Sequence, residues 1–263
     1  MDSGFIRSLE ERARARRARI GVGIWNEDTE IMASLEAATE YADLLLVGTP
    51  GFDCSLDCLR TDEPWKKLVS LLAEGQIDGA VRGNLPASRT MKAVAEQFRI
   101  KVKRIALLEL PGWAFFLGPV GIDEGDTVSD RLGLVIDGER YLKHMGVFPK
   151  ISILSGGRIE DLGRSVKVDR SLAEGEFIAS MARDAGLRAQ HKGILIETCK
   201  GDDLIIAPDG ISGNLIFRTL LLLCGASALG APVLMDKVFI DSSRARGNFN
   251  GPIMLASALL DGK

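Results

Sequence analysis

The chain has 263 residues, of which 46% are hydrophobic and 26% charged, enough to fill the core of one large or two modest α/β domains and too apolar for a disordered chain. A net charge of −3 leaves no basic field for a nucleic acid, so a nucleic-acid partner is not expected. The first twenty residues, MDSGFIRSLEERARARRARI, carry charges where a secretory signal would need an apolar run, and the four cysteines, at 54, 58, 199 and 224, then read as reduced thiols of a cytoplasmic protein.

Residues 5–19 are expected as a surface helix, with the arginine cluster at 12, 14, 16, 17 and 19 balanced by Glu10 and Glu11. A strand at 19–24, a helix at 26–41 with Ile31, Leu35 and Ala38 on one face, and a buried strand at 43–47 follow. A helix at 65–74 leads to a strand at 77–81, a polar turn at 82–90 and a helix ending near Phe98. Arg82, Ser88, Arg89 and Thr90 lie near that turn, where guanidinium and hydroxyl groups suit a phosphate or carboxylate. Segments 103–110 and 114–119, separated by Pro111-Gly112, read as an antiparallel hairpin.

Acidic, glycine-containing residues 121–130 mark a change of domain. Beyond them a helix is expected at 127–145, a strand at 151–154, a helix at 171–185 and a strand at 193–198. An apolar strand at 204–207 then enters Pro208–Gly213 and a long apolar helix from about Ser212. Arg218 interrupts the run 215–233, and glycines and Pro232 end it, so a buried helix of a large core fits better than a membrane span. A strand-like segment at 236–241, a loop at 242–250 and a helix at 252–260 close the chain.

Strands alternating with helices predict two lobes of α/β structure with mainly parallel sheets and helices on both faces. The expected division is 1–125 plus 232–263 as one domain and 126–231 as the other, with a cleft between them. Ligands in such sheets bind beyond the strand C-termini, where the turns at 48–51, 82–90, 155–158 and 208–214 and the loop at 242–250 all fall.

Two of these turns are chemical candidates. At 208–214 the unpaired N–H groups of a helix start, with Asp209, Gly213 and Asn214 beside them, suit an anion, and a plain tight turn fits the same letters equally. In 242–250, Arg244 and Arg246 offer planar donor forks and Ser242 and Ser243 offer hydroxyls, again with a surface loop as the competing reading. Cys54 and Cys58 would share a helix face, but no second Cys/His pair has matching spacing, so no metal site is expected. His144, His191 and Cys199 have no sequence neighbour that would orient them for catalysis. Gly21-Val22-Gly23 lacks the third glycine of a dinucleotide loop, and no P-loop or nucleophile elbow is present.

PDGISGNLIFRTL (208–220), ALGAPVL (228–234) and IDSSRARGN (240–248) resemble the C-terminal part of phosphate acetyl- and butyryltransferases, and the similarity extends more weakly over most of the chain. ILSGGR and PDGISGN resemble more closely the methanogenesis marker protein 4 family, also called MtxX, whose customary and provisional label is methyltransferase. The resemblance implies a methanogen source, a phosphotransacetylase- or isocitrate-dehydrogenase-like fold, a homodimer, and a small anionic substrate in the interlobe cleft. Coenzyme A or a methanogenic coenzyme is the cofactor class it allows, with no membrane partner. Residue by residue, it gives Ser243 and Asn250 catalytic positions and makes Gly213, Asn214 and Arg244 anion-binding, and the reading of the turns adds Arg82, Ser88 and Asp209 to that set. The acyltransferases carry an aspartate base seven residues after the serine; here that position is Asn250, an amide that cannot take a thiol proton. Methyl transfer, phosphate acyl transfer and non-catalytic binding on the same fold therefore all stand as readings.

Overall fold

A computed structural model describes residues 1, 3–26, 29–51, 55–242 and 248–260. The chain forms two compact units, one of residues 4–102 and 229–263, the other of residues 1–3 and 103–228. The expected boundary fell near 125. The observed one precedes the hairpin, because the hairpin's second strand pairs with the strand Leu204–Ile206 of the same unit.

The first unit is a twisted, mainly parallel sheet. Helix α1 (Ser3–Arg16) precedes strand β1 (Ala18–Ile24); α2 (Thr29–Ala38), β2 (Ala42–Gly48), β3 (Cys58–Arg60), α3 (Pro64–Ala73), β4 (Gly79–Val81) and α4 (Ala87–Phe98) follow. α1 is not merely a surface helix: Ile6, Leu9 and Ala13 repeat at helical spacing and are buried. β1 takes β2 on one side and β4 on the other, both parallel, and β2 takes β3. β1 is therefore central, and its burial on both sheet faces explains a run with little alternation, RIGVGI. Leu68, Leu72 and Ile77 join Val47, Ala80 and Phe239 in the core beneath α3.

The second unit begins with the hairpin β5 (Ala106–Leu110) and β6 (Trp113–Gly118), paired antiparallel from Ala106 opposite Leu117 to Leu110 opposite Trp113. Then come α5 (Val128–His144), β7 (Lys150–Leu154), α6 (Val166–Asp184), β8 (Arg188–Gly193), β9 (Leu204–Ile206) and α7 (Gly210–Leu222). Its strand order is β5-β6-β9-β7-β8, parallel from β6 onward. Thr127 caps α5 in a reciprocal box, its hydroxyl accepting from Asp130 N–H at 3.1 Å while the Asp130 carboxylate accepts from Thr127 N–H at 3.3 Å. The chain then returns to the first unit. β10 (Ser227–Pro232) pairs antiparallel with β11 (Val238–Asp241), β11 lies parallel to β4, and α8 (Asn250–Ala258) ends the structure.

Four expectations need correction. The strand expected at 193–198 is β8 at Arg188–Gly193, and Ile196–Cys199 is a 3₁₀ turn. Among the described residues β8 pairs only with β7, and it carries the polar letters RAQHKG, so its alternation, with Ala189 and Gly193 buried, is hidden from a hydropathy reading. The long apolar run 215–233 is not one buried helix: α7 ends at Leu222, Gly225 turns with φ +71°, and β10 begins at Ser227. Leu215 is 62% exposed and Leu223 81% exposed, whereas Gly210, Gly213 and Leu221 face inward. α6 starts at Val166 rather than Ser171, with the Ser165 hydroxyl accepting from Val168 N–H at 3.3 Å as its cap. Cys58 lies in strand β3, not on a helix, and Cys54 lies outside the described residues. No described helix is long and apolar enough to cross a membrane.

Candidate functional site

In the first unit, β1, β4 and β11 run parallel, so their C-termini share one edge. The chain leaves them at Trp25, Arg82 and Ser242 and enters helices at α4 and α8. Gly83, at φ +63°, makes the turn after β4: a Cβ there would stand 1.8 Å from the Gly23 carbonyl oxygen, so only glycine fits. Asn84 ties the neighbouring strand end to this turn. Its Oδ1 accepts from Trp25 N–H at 2.5 Å and its Nδ2 donates to Asn26 O at 2.6 Å.

Arg82 is buried and engaged within the chain. Its Nε pairs with Asp241, Nη1 donates to Leu85 O at 2.6 Å, and Nη2 donates to Ser242 O. Ser242 Oγ in turn donates to Gly83 O at 2.7 Å. Arg82 therefore locks the turn after β4 to the start of the 242–250 loop. At the far end of that loop Asn250 N–H donates to Asn248 Oδ1 at 2.9 Å, and Phe249 N–H donates to Ser34 Oγ at 3.1 Å. Ser243, Arg244 and Arg246 themselves lie outside the described residues.

α4 begins at this edge without a side-chain cap: Pro86 occupies the cap position and no acid stands in the first turn. Ser88 and Arg89 are exposed in that turn. The Arg89 guanidinium carbon lies 4.9 Å from the centre of the Trp65 ring, and Trp65 meets Trp25 with ring centroids 5.8 Å apart. Free N–H groups, the positive end of the helix dipole, a hydroxyl and an arginine thus share one place. α8 also starts here without a side-chain cap, and Asn250 Oδ1 is buried with no hydrogen-bond partner among the described residues.

Asp209, Gly213 and Asn214 belong to the second unit, at the start of α7. Asp209 caps this helix, its Oδ1 accepting from Ser212 N–H at 2.7 Å, so the chain's own carboxylate already sits at the positive helix end. The two glycines of the motif serve close packing. A Cβ on Gly210 would stand 1.8 Å from Gly121 O, and one on Gly213 1.9 Å from Pro119 O. Asn214 Nδ2 donates to Val120 O at 2.8 Å, completing a clamp of α7 on the 119–121 backbone. Next to the clamp, buried Glu124 accepts from Arg104 Nε at 2.6 Å. Burial pushes its carboxyl above the usual range, against the pull of Arg104.

Elsewhere in the second unit His191 is oriented after all. Its Nε2 lies 2.8 Å from Ser155 Oγ and its Nδ1 3.3 Å from Glu176 Oε2. The order is that of a hydrolytic triad, but Ser155 is 2% exposed and Gly175 of α6 lies against both partners, where a Cβ would be 2.7 Å from His191 Nε2. A substrate carbonyl has no approach to that hydroxyl. Burial likewise raises the Cys199 thiol, keeping it protonated. No cluster of three metal-ligating side chains occurs among the described residues.

The roles of Arg89, Trp25 and Trp65 at the strand-end edge did not emerge from the sequence. Arg89 stood in the expected turn, but only the structure shows that Arg82 is occupied while Arg89 is exposed. The tryptophans give no motif, since their meeting joins the end of β1 to α3.

The two units define the fold of the phosphotransacetylases. A branched-chain phosphotransacylase from Enterococcus faecalis matches with a TM-score of 0.73 at 18% identity, over 92% of this chain and 100% of that one. A phosphotransacetylase from Streptococcus pyogenes matches at 0.69 and 16%, over 97% of each chain. A 4-hydroxythreonine-4-phosphate dehydrogenase from Klebsiella pneumoniae matches at 0.63 and 11%, over 93% of this chain and 100% of that one. Within this class the chain belongs to the family of mtx subunit X, proteins of methanogens that carry methyltransferase as a provisional name. It is 45% identical over 265 residues to the Methanosarcina mazei protein, covering 97% of this chain and 95% of that one, and 46% identical over 268 residues to the Methanosarcina acetivorans protein, with the same coverage. An uncharacterised methyltransferase of Methanopyrus kandleri is 32% identical over 93% of this chain and 100% of that one. No family model matches the chain.

Proposed function

We propose that this chain is a transferase of methanogen metabolism that holds a small phosphorylated or carboxylated molecule at the strand-end edge of the unit formed by residues 4–102 and 229–263. The observation that carries the reading is the contrast between two helix starts. α7 is closed by the carboxylate of Asp209, whereas α4 is open, without an acid in its first turn and with Ser88 and Arg89 exposed beside it. Arg82 holds the turn and the first residue of the 242–250 loop in place. Ser243 and Arg244, which follow that residue, are assigned by resemblance to the same anion.

The name shared by the relatives supports methyl as the group transferred. Phosphate acyl transfer is the reading suggested by the fold, and the amide at Asn250 weighs against it: loss of a general base lowers such a rate by roughly 100- to 10,000-fold. The test is calorimetric titration of the purified chain and of Arg89→Ala with acetyl phosphate and inorganic phosphate, alongside an assay for acyl-coenzyme A formed from acetyl phosphate and coenzyme A. The expected result is saturable binding, weakened about tenfold or more in the variant, and no acyl-coenzyme A. Equal affinity in both proteins would remove Arg89 and the α4 edge from the site, and acyl-coenzyme A formation would replace methyl by acyl transfer.

A further inference from the structure

The second unit has a hollow of about 450 Å³ at the edge where β7 and β8 begin, away from the strand ends that lead to Ser155 and Asp209. Its polar lining is Lys150 and Arg188, the first residues of the two strands, with Gln190, Asp202, and Arg183 from the last turn of α6. The strands are parallel, with Lys150 directly opposite Arg188 and Ile151 directly opposite Ala189. Ile151 and Ala189 are buried, and alternation turns Lys150 and Arg188 together to the other sheet face. Neighbouring strands lie about 4.8 Å apart, so like charges at directly paired positions on one face repel.

Among the described residues nothing offsets this repulsion. Lys150 meets Asp203 only through its backbone, its N–H donating to Asp203 Oδ2 at 2.9 Å and its carbonyl accepting from Asp203 N–H at 2.9 Å. Arg188 gives Nη1 to Phe148 O at 3.3 Å, and no carboxylate pairs with it there. The one carboxylate of the lining, Asp202, is already engaged: its Oδ2 accepts from Ser152 Oγ at 2.5 Å and lies 3.9 Å from Lys192 Nζ. Arg183 is paired as well, donating Nη2 to Glu176 Oε1 at 2.7 Å. Two uncompensated cations therefore stand side by side at a hollow of the size that holds a small molecule. A local electrostatic rule broken without an internal remedy marks a place where a ligand supplies the remedy.

We propose that this hollow is a second anion site, which takes a small phosphate-bearing dianion. A phosphate ester carries about −1.5 to −2 charges near pH 7, enough for both cations at once, whereas a single carboxylate matches only one. The Arg188 fork fits two phosphate oxygens, the Lys150 ammonium adds a point charge, and the Gln190 amide, two residues along β8 on the same face, adds a neutral donor. The site is independent of the α4 edge, which belongs to the other unit.

The test is calorimetric titration with inorganic phosphate and with glycerol 3-phosphate in an Arg89→Ala background, which disables the α4 edge. In that background Arg188→Gln and Lys150→Gln are compared with Arg164→Gln, an exposed arginine of the same unit paired with Asp161. The Arg89→Ala chain and its Arg164→Gln derivative are expected to keep one saturable site, and Arg188→Gln or Lys150→Gln to weaken it about tenfold or more. Tighter binding of the ester identifies a phosphorylated metabolite as the occupant and equal binding identifies free phosphate; both uphold the site. Without phosphate, Arg188→Gln and Lys150→Gln are expected to melt no lower than their parent, because the repulsion is gone, and phosphate is expected to raise the melting temperature of the parent alone. Phosphate binding by the unsubstituted chain that disappears in Arg89→Ala overturns this proposal and leaves the α4 edge standing. Affinity indifferent to Arg188→Gln, or weakened equally by Arg164→Gln, overturns it too.

Discussion

Replacing Arg82 by methionine separates a structural arginine from a ligand-binding one. The side chain is 4% exposed and gives its three nitrogens to Asp241, Leu85 O and Ser242 O. Removing one member of a buried ion pair costs about 3–5 kcal/mol. The Asp241 side chain keeps 12% exposure, so the low end, about 3 kcal/mol, is the better figure for the pair. Loss of the donor from two backbone carbonyls adds about 1 kcal/mol each at most, and such terms overlap within one network. The expected loss is therefore about 3–5 kcal/mol. Urea unfolding followed by tryptophan fluorescence reads it, because Trp25 and Trp65 both lie in the affected unit. With a slope of about 2–3 kcal/mol per molar urea, the midpoint falls by about 1–2 M. Arg89→Ala is the control: an exposed cation over an aromatic ring contributes about 0.5–1 kcal/mol, so its midpoint barely moves. An Arg82→Met protein within 1 kcal/mol of the parent (about half a molar in urea), or an Arg89→Ala protein destabilised to the same degree, would refute this division of roles.

Three further outcomes follow from the same geometry. Gly213→Ala sets a methyl 1.9 Å from Pro119 O, so α7 must lift from the 119–121 backbone; a loss of about 1–3 kcal/mol in thermal or urea unfolding is expected, and a neutral variant would deny the clamp. Glu124 has a folded-state pKa raised by burial above its usual 4.5, so it favours folding below that value and this contribution is lost as pH rises through the folded pKa. The stability of the parent relative to Glu124→Gln should accordingly fall as pH is raised from about 4 to 7, and a pH-independent difference would contradict the assignment. Asn250→Asp puts a carboxylate where an amide oxygen is already buried without a partner among the described residues, so about 1–3 kcal/mol is lost at neutral pH and partly recovered in acid, read from melting temperatures at the two pH values.

The layered fold was legible because most βα units carry their own period. β1, β2, α3, α4, α5 and the hairpin fall within a few residues of where apolar spacing and the Pro111-Gly112 turn put them. Where local pattern and tertiary role part company, the sequence misleads. β8 is polar because an edge strand needs only backbone pairing on one side, and the apolar run after Asp203 divides among β9, α7 and β10 because Gly225 turns the chain. The site was legible as residue types and not as roles. Asp209, Gly210 and Gly213 have the letters of an anion-binding turn, yet the aspartate caps its own helix and the glycines make room for a carbonyl. Arg82 and Arg89 stand seven residues apart with equal chemical promise, and only their burial distinguishes a brace from an exposed donor.

The most direct test of the central claim is a crystal structure of the chain soaked with inorganic phosphate. Density for the anion is expected at the first turn of α4, within hydrogen-bonding distance of the Ser88 backbone N–H and the Arg89 guanidinium, and none at the start of α7, where Asp209 already occupies the helix end. Phosphate bound at α7 with the α4 edge empty would contradict it.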